Sequence, residues 1–336
     1  MPPFVSIIVP CYNEQATIRQ LINAVLAQSY PRSQMEIIIA DAFSRDGTRE
    51  IIDSFRREHP NLSLRVVDNK RHSIPAALNL AIKESSGEII IRLDAHSQPY
   101  PEYVERCVQA LGEGKGTSVG GVWEIRPGAN SWIAESIACA AAHPLGVGDA
   151  MYRLNPKAGA VDTVPFGAFQ RKLIEQIGGF DETLLSNEDY EFNTRIRQAG
   201  GVVWLDPQIR STYFARASFR ELARQYWRYG FWKLKMLKRY ANTIRWRQAL
   251  PPMFVASLIA LAILSIWFFP ARWGLSFEII LYLFILIVAS IRAAFHNHKP
   301  LLVVGLPLSI AIMHLSWGGG FLYSSIALPS IQNHGR

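Results

Sequence analysis

The sequence predicts an α/β domain with a mostly parallel, twisted sheet and flanking helices, followed by a C-terminal bundle of about three transmembrane helices. Two observations predict this arrangement. Four short apolar runs alternate with helical patterns in the first hundred residues, which is typical of βαβ units. Further along, the segments between Arg247 and Arg272 and between Lys299 and Arg336 contain no charged side chain, which is typical of membrane spans.

The four apolar runs are the expected strands of the sheet. They cover residues 5–9, 36–40, 64–67 and 88–93, with helices expected at about 15–27, at 48–58 and from about 75 onward. The runs lack polar alternation because both faces of a parallel sheet are covered. In open sheets of this kind ligands bind beyond the carboxyl ends of the strands, so functional side chains are expected there.

The tail contains three apolar segments, at residues 252–269, 273–291 and 301–328. The first two have 18 and 19 residues, roughly 27–28 Å as helix, close to the hydrocarbon thickness of a bilayer. The third contains Pro307 and glycines 318–320, so it is expected to be one broken span or a span with a re-entrant piece. Three spans would place Arg292 and Lys299 on the cytoplasmic side and Arg272 outside.

Composition and charge favour a membrane protein over a nucleic-acid-binding one. Apolar residues make up 49% of the chain and charged residues 18%, with a net charge of +8. Six basic residues crowd before the first apolar segment, where anionic headgroups would lie: Lys233, Lys235, Lys238, Arg239, Arg245 and Arg247. The three cysteines lack metal-type spacing and indicate a reducing compartment, and the first residues show no signal peptide. We therefore expect the globular part in the cytoplasm.

The first two strand ends carry polar side chains suited to a nucleoside. Pro10, Tyr12 and Glu14 follow the first strand without the glycines that a dinucleotide-binding loop would need. Tyr12 offers an aromatic face and Glu14 an acceptor, which suit a base and a ribose. Asp41 ends the second strand and can accept a hydrogen bond from a nucleobase N–H. Asp46 is more simply a helix cap.

Asp94 and His96 follow the fourth strand and form a candidate metal site. Alternate residues of an extended segment point the same way, so the two side chains can share one divalent cation. The imidazole favours Mn²⁺ over Mg²⁺.

Two further clusters have both a chemical and a structural interpretation. Glu188 and Asp189 precede a helix, where they are either reactive carboxylates or a solvated helix N-terminus. Gln225 and Arg228 lie three residues apart on one helix face. An arginine there either holds a diphosphate bidentately or lies at the membrane surface.

Taken together, these motifs resemble the family 2 glycosyltransferases of the GT-A fold. The sequence is most similar to the ExoA-like branch, which builds succinoglycan-type bacterial exopolysaccharides. The resemblance covers residues 5 to about 237. Its closest stretches are VVDNKRHSIPAA (66–77), RLDAH (92–96), VDTVPFGAFQR (161–171), GGFD (178–181) and QYWRYG (225–230).

The resemblance implies roles for individual residues. Asp189 would be the general base, and Arg228 would steady the departing diphosphate. Asp94 and His96 would hold the metal, Mn²⁺ or Mg²⁺. Nucleotide binding would fall to Pro10, Tyr12, Glu14, Asp41 and Asp94. The donor-sugar or acceptor pocket would include Phe166, Gly167, Glu188, Gln225 and Tyr229.

Three positions depart from the family pattern. Ala42 replaces a second acidic residue of the nucleotide loop, and His96 replaces the usual second aspartate of the metal motif. Tyr229 stands where processive synthases usually carry tryptophan. The last departure argues against polymerisation.

The implied activity is inverting transfer of a sugar from a UDP-sugar, with glucose expected, to a polyprenyl-diphosphate-linked saccharide. The expected partners are this donor, this acceptor, the bacterial inner membrane and other polysaccharide-assembly proteins, with no nucleic acid. Three alternatives stay open: a polyprenyl-phosphate sugar synthase, a processive polysaccharide synthase and a non-catalytic nucleotide-sugar-binding subunit. The expected division is a cytoplasmic GT-A catalytic domain (1–217), basic amphipathic interfacial helices (218–249) and a transmembrane region (250–336).

Overall fold

The computed structural model describes residues 2–154, 156–240 and 244–331, with side chains to residue 327. The chain forms two compact units. The first comprises Met1–Glu124 and Met151–Tyr213, and the second Ile125–Ala150 and Phe214–Arg336. Residues 125–150 thus belong with the tail, whereas the sequence division kept them in the globular domain.

One mixed sheet organises the first unit. Among the described residues nine strands join it in the order β3-β2-β1-β4-β8-β6-β9-β5, with β7 also pairing with β9. The pairs β1–β2, β2–β3 and β1–β4 are parallel, and β4–β8, β6–β8, β5–β9 and β7–β9 are antiparallel. The strands are β1 (Val5–Cys11), β2 (Met35–Asp41), β3 (Leu64–Asp68), β4 (Ile89–Arg92), β5 (Gln98–Pro99), β6 (Ser118–Arg126), β7 (Gly159–Ala160), β8 (Ala168–Gln170) and β9 (Val203–Phe214).

The four predicted strands are confirmed as the parallel part of this sheet. Successive residues of β1 enter two different apolar clusters: Ile7 and Val9 join one, and Ile8 joins the other. Because side chains alternate across a strand, the two clusters lie on opposite faces of the sheet. Both faces are therefore covered, which explains the missing polar alternation. The antiparallel strands were not foreseen. Three of them, β5, β7 and β8, have only two or three residues each, and β6 begins among the glycines of residues 112–121. The remaining one, β9, has 12 residues and was missed although it is long.

Helices cover the sheet in the first unit and make up most of the second. The first unit contains α1 (Ile18–Leu26), α2 (Thr48–Glu58), α3 (Ile74–Glu84), α4 (Tyr103–Gly112), α7 (Lys172–Ile177) and α8 (Glu188–Gln198). The second contains α5 (Trp132–Ala141), α6 (Pro144–Val147), α9 (Phe219–Arg239), α10 (Trp246–Leu264), α11 (Phe269–Asn297) and α12 (Leu302–Ile331). The helix predicted at 48–58 is confirmed as α2.

Helices α10, α11 and α12 are each long and apolar enough to cross a membrane. This confirms three candidate spans among the described residues. The break expected in the third is wrong, because α12 continues through Pro307 and all three glycines. The glycines instead permit close packing. A Cβ on Gly318 would lie 2.5 Å from the Pro251 carbonyl oxygen, and one on Gly320 would lie 2.3 Å from that of Trp227.

Two of the six basic residues before the spans do not face headgroups. Lys233 is buried within α9, 1% exposed. The Arg247 side chain is 8% exposed and forms an ion pair with Asp149. A run of basic residues in the sequence does not distinguish these two from the others, because long basic side chains also pack inside a helical unit when their charged groups contact partners.

Candidate active site

The candidate site lies at one edge of the sheet, where the parallel strands end and β8 begins. The edge is marked by unusual backbone. Five of the six non-glycine residues with positive φ in the described chain lie in its loops: Asn13, Phe43, His72, Phe166 and Asn187. Asparagine and histidine tolerate this backbone, but it is disfavoured for phenylalanine, so Phe43 and Phe166 are the strained positions. Strained residues of this kind cluster at functional sites.

Hydrogen bonds connect the loop after β1 to the loop after β2. The Asn13 backbone N–H donates to Ser44 Oγ at 2.8 Å, and the Arg45 N–H donates to Asn13 Oδ1 at 2.8 Å. Asp46 accepts from the Thr48 N–H at 3.1 Å and from the Gln15 N–H at 3.2 Å. The N-cap of α2 is Gly47, so Asp46 lies one residue before the expected cap position; it bonds the first N–H of the helix and connects the two loops. In the loop that these hydrogen bonds hold, the Tyr12 side chain faces solvent and is 51% exposed.

Asp41 is fully buried, and its carboxylate holds the second loop in place. Its Oδ2 accepts from Arg49 Nε at 2.5 Å and from the Ser44 N–H at 3.0 Å. Arg49 also pairs with Asp68 at the end of β3, at 2.7 Å. A nucleobase contact by Asp41 stays a prediction. The structure adds that most of its acceptor capacity is already used.

Phe43 and His72 are candidate binding residues that the sequence did not reveal. Phe43 is 39% exposed, its ring centroid lies 5.7 Å from that of His72, and Arg49 Cζ lies 5.4 Å from the Phe43 centroid. With Tyr12, these planar groups offer a surface on which a base could stack. No local sequence pattern predicts that Phe43 and His72 are exposed together, because their exposure depends on left-handed backbone in two separate loops.

The segment after β4 turns, contrary to the extended geometry expected for Asp94 and His96. The Ser97 N–H donates to the Asp94 carbonyl at 2.9 Å, which closes a turn. The two side chains accordingly have different neighbours. Asp94 Oδ1 lies 3.1 Å from Arg92 Nη2, and His96 Nδ1 lies 3.1 Å from Glu14 Oε1. The second contact brings two predicted site residues together.

Arg92 joins the two acidic clusters. Its Nη2 donates to Asp94 at 3.1 Å and to Glu188 Oε1 at 2.9 Å, although the residues are 96 positions apart in the second case. Its side chain is only 7% exposed, and its buried Nη1 finds no hydrogen-bond partner in the described part of the chain. Burial lowers the pKa of Arg92, but Asp94, Glu188 and Asp189 outweigh it, so the net shift is upward. The guanidinium therefore stays charged.

Glu188 and Asp189 differ in environment although they are adjacent. Glu188 is 5% exposed and faces Arg92. Burial raises the pKa of its carboxyl, and Arg92 opposes the rise. Asp189 is half-buried in the first turn of α8, and its Oδ1 accepts from the Tyr190 N–H at 2.7 Å. Its Oδ2 has no hydrogen-bond partner among the described residues. That oxygen is available to a ligand.

Phe166 and Gly167 lie beneath this edge. Phe166 is 4% exposed, and its ring centroid lies 5.6 Å from that of Trp123. The Gly167 carbonyl accepts from the Arg92 N–H at 3.3 Å. Both residues support the strand that carries Arg92. Their part in a sugar pocket stays a prediction.

The remaining predicted site residues belong to the second unit. Gln225, Arg228 and Tyr229 lie on α9, where Gln225 Nε2 donates to the Tyr229 hydroxyl at 3.0 Å. Arg228 is exposed. The roles of all three stay predictions.

Comparison with known families identifies the family of the chain. Residues 6–178 match the sequence model described as Glycosyl transferase family 2. The chain belongs to that family. The match spans the whole parallel part of the sheet, together with Asp41, Arg92 and Asp94.

Full-length relatives of this family 2 glycosyltransferase come from archaea and bacteria. One from Methanococcus voltae, named as a dolichyl N-acetyl-α-D-glucosaminyl phosphate 3-β-D-2,3-diacetamido-2,3-dideoxy-β-D-glucuronosyltransferase, is 26% identical and covers 95% of this chain and 96% of its own. Succinoglycan biosynthesis protein ExoA of Rhizobium meliloti is 28% identical over 94% of this chain and 93% of its own. The ExoA-like resemblance is thus confirmed.

A solved structure supports the GT-A fold. Mannosyltransferase PcManGT from Pyrobaculum calidifontis, in complex with GDP-Man and Mn²⁺, superposes with a TM-score of 0.65. The alignment covers 94% of this chain and 87% of that one, at 20% identity. At this identity the likeness concerns the fold alone.

The donor chemistry at the end of β4 fits a divalent cation that arrives with a nucleotide. No group of three or more His, Cys, Asp or Glu residues within the described ranges could hold a metal by itself. Cations bound with substrate phosphates commonly use one or two protein ligands, with phosphate and water completing the shell. The side chains of Asp94 and His96 are 24% and 36% exposed, so both are within reach of such a ligand.

Proposed function

We propose that this enzyme transfers a sugar, with glucose the expected one, from a UDP-sugar to a polyprenyl-diphosphate-linked saccharide in bacterial exopolysaccharide assembly. The observation that carries the proposal is the cluster at the sheet edge. Arg92 holds Asp94 and Glu188 in place, and Asp189 next to them keeps one carboxylate oxygen available. This arrangement provides a general base beside a candidate cation site.

In the proposed mechanism Asp189 Oδ2 takes the proton from the acceptor hydroxyl as that oxygen attacks the anomeric carbon. The Arg92–Glu188 ion pair supports the start of α8 and so fixes the position of Asp189. Asp94 and His96 would hold the cation, which when bound would supply positive charge to the departing diphosphate. Tyr12 and Phe43 bind the base. Arg228 steadies the diphosphate and inversion follows, both on the strength of the family resemblance.

The acceptor class rests on the tail and on the relatives. Three helices that are long and apolar enough to cross a membrane suit an acceptor held in a bilayer. One full-length relative is named for a dolichyl-phosphate-linked substrate and another for succinoglycan biosynthesis. We place the enzyme in the bacterial inner membrane with its catalytic domain in the cytoplasm, where nucleotide sugars are available.

Asp189→Asn tests the proposal. The amide cannot take a proton but keeps the shape of the side chain. Transfer should therefore fall by about a hundred- to ten-thousandfold, the contribution of a typical general base, while UDP affinity changes by less than a few-fold. Radiolabelled UDP-sugars are screened with Mn²⁺ and lipid-linked acceptors, and UDP binding is measured by calorimetry. Asp181→Asn, in the preceding loop, is the control. Full activity of Asp189→Asn, or no transfer by the wild type with any donor, would contradict the proposal.

A further inference from the structure

A cleft of about 670 Å³ lies within the second unit between α5 and α11. One face of each helix lines it, because the contributing residues recur at intervals of three and four. Small side chains form much of the walls, and polar ones are interspersed with them on α11. The residues that matter here are Ala138 and Ala142 on the α5 side, and Ala289, Arg292, Ala293 and His296 on α11.

The cleft carries a surplus of positive charge. Arg292 is exposed and has no ion-pair partner among the described residues. Lys299 Nζ lies 3.1 Å from Glu135 Oε1, and the lysine side chain remains 48% exposed. An ammonium has three donors, so this contact leaves Lys299 able to bind a second anion. Two permanent cations therefore face one carboxylate.

The position of Arg292 along α11 puts this charge at headgroup level. With 29 residues, α11 is roughly 44 Å long, whereas the hydrocarbon core measures about 30 Å and the bilayer with headgroups about 40–45 Å. Arg292 lies five residues before the end of α11, and Lys299 lies in the connection to α12. The cleft thus combines a charged mouth at the interface with alanine-rich walls that continue toward the hydrocarbon.

We propose that this cleft binds the phosphate end of the polyisoprenyl carrier of the acceptor, an inference that rests on the proposed function. The Arg292 guanidinium presents parallel N–H donors that match phosphate oxygens. His296, one turn further on, and Lys299 add donors around the same group. The alanines leave space for the first isoprene units beside α5 and α11. α5 has 10 residues and is not a candidate span, so the cleft lies beside one span, α11. Basic clusters at the cytoplasmic ends of spans bind phosphorylated lipid headgroups by the same charge attraction.

The test measures lipid binding without any sugar donor. Full-length protein in phosphatidylcholine nanodiscs is titrated with undecaprenyl phosphate. Arg292→Ala should weaken binding on the order of tenfold, the loss expected for a charge-assisted contact. Lys299→Ala should weaken it less, because Lys299 is shared with Glu135. Arg272→Ala is the matched control, since it removes the same charge at the opposite end of α11 and should leave binding unchanged.

Two competitors separate the sources of phosphate. Undecaprenol, which lacks the phosphate, and phosphatidylglycerol, an ordinary anionic lipid, should both compete poorly. Equal competition by either would overturn the proposal, as would unchanged binding in both Arg292→Ala and Lys299→Ala. Thermal melting in the same nanodiscs verifies that each variant is folded. Arg292→Lys, which keeps the charge but not the fork, should fall between the wild type and Arg292→Ala.

The outcome is independent of whether transfer is observed. If no UDP-sugar supports transfer but binding of undecaprenyl phosphate still requires Arg292, the proposed function is refuted and the proposal that the cleft binds the lipid phosphate is supported. If transfer proceeds and Arg292→Ala leaves the KM for the lipid acceptor unchanged, the proposed function stands and the cleft is refuted.

Discussion

At the residue scale, the site depends on a buried arginine. Arg92 is the last residue of β4, and it contacts one carboxylate on its own strand end and another on α8. Removing one partner of a buried ion pair leaves an uncompensated charge, which costs more than the pair contributed. The same contacts fix the side chains beside which the reaction is proposed to occur. Stability and activity should therefore respond to the same substitution.

Arg92→Met should destabilise the protein by about 3–5 kcal/mol, because Glu188 remains buried without its cation. Adding Glu188→Gln removes that charge and should restore much of the loss without restoring transfer, since Asp94 still lacks its partner. Chemical denaturation of the full-length protein in detergent and single-turnover rates give the two readouts. Equal free energies of unfolding for Arg92→Met and the wild type would mean that the Arg92–Glu188 ion pair does not stabilise the fold.

His96 decides the metal preference if it is a ligand. A carboxylate is a harder donor than imidazole, so His96→Asp should shift the activity ratio from Mn²⁺ toward Mg²⁺, and excess chelator should stop the wild type. His59→Asp is the control and should leave the activity ratio unchanged, because His59 lies at the C-terminal end of α2, whereas the site lies at the other end of that helix. Undiminished transfer in excess chelator would show that the reaction does not require a divalent cation.

At the element scale, glycines set the spacing of the helices in the second unit. Gly230 on α9 and Gly320 on α12 lie where a Cβ would collide with the backbone of the facing helix, at 2.1 Å from the Trp317 carbonyl oxygen and 2.3 Å from that of Trp227. Helices in membranes gain van der Waals contact from such close approach. This packing explains why α12 runs unbroken through three consecutive glycines.

Gly320→Ala should destabilise the second unit by about 1–3 kcal/mol, because α9 and α12 must move apart. Gly274→Ala in α11 is the matched control: its Cβ would meet only the two methyl groups of Leu261, at 3.5 and 3.9 Å, which are ordinary contacts. Alanine favours the helix at both positions, so any loss is due to packing. Thermal unfolding in one detergent compares the variants. Identical melting temperatures of Gly320→Ala and the wild type would show that close contact between α9 and α12 at Gly320 does not contribute to stability.

At the scale of the whole molecule, the tail has few polar groups with which to guide a growing polysaccharide. A processive synthase must retain its product, usually along a path lined by its own helices. The main polar candidate, His314, already has its Nδ1 3.0 Å from the Tyr282 hydroxyl and its Nε2 2.8 Å from the Leu145 carbonyl oxygen. The imidazole is therefore engaged in joining α12 to its neighbours.

We accordingly expect one sugar to be added per acceptor, followed by release. Mass spectrometry of lipid-linked products, made by purified enzyme with excess UDP-sugar, should show a single mass step. Tyr229, in place of the tryptophan of processive synthases, points the same way. A ladder of additions would refute this expectation, and its disappearance in His314→Ala would then assign the path to the helical tail.

The sequence by itself determined the parallel strands, the candidate spans and the family, because these depend on local apolar patterns and on motifs at strand ends. It predicted Asp94, Glu188 and Asp189 as site residues, which stays a prediction, but it did not reveal that Arg92 contacts both Asp94 and Glu188, since the Arg92–Glu188 contact joins positions 96 residues apart. It read glycines 318–320 as a break because propensity is local, whereas their close packing against other helices is tertiary. Tertiary structure alone decided which basic residues are buried and how Phe43 and His72 are exposed. Burial and left-handed loop backbone depend on what packs beside each residue, and a sequence pattern carries no such information.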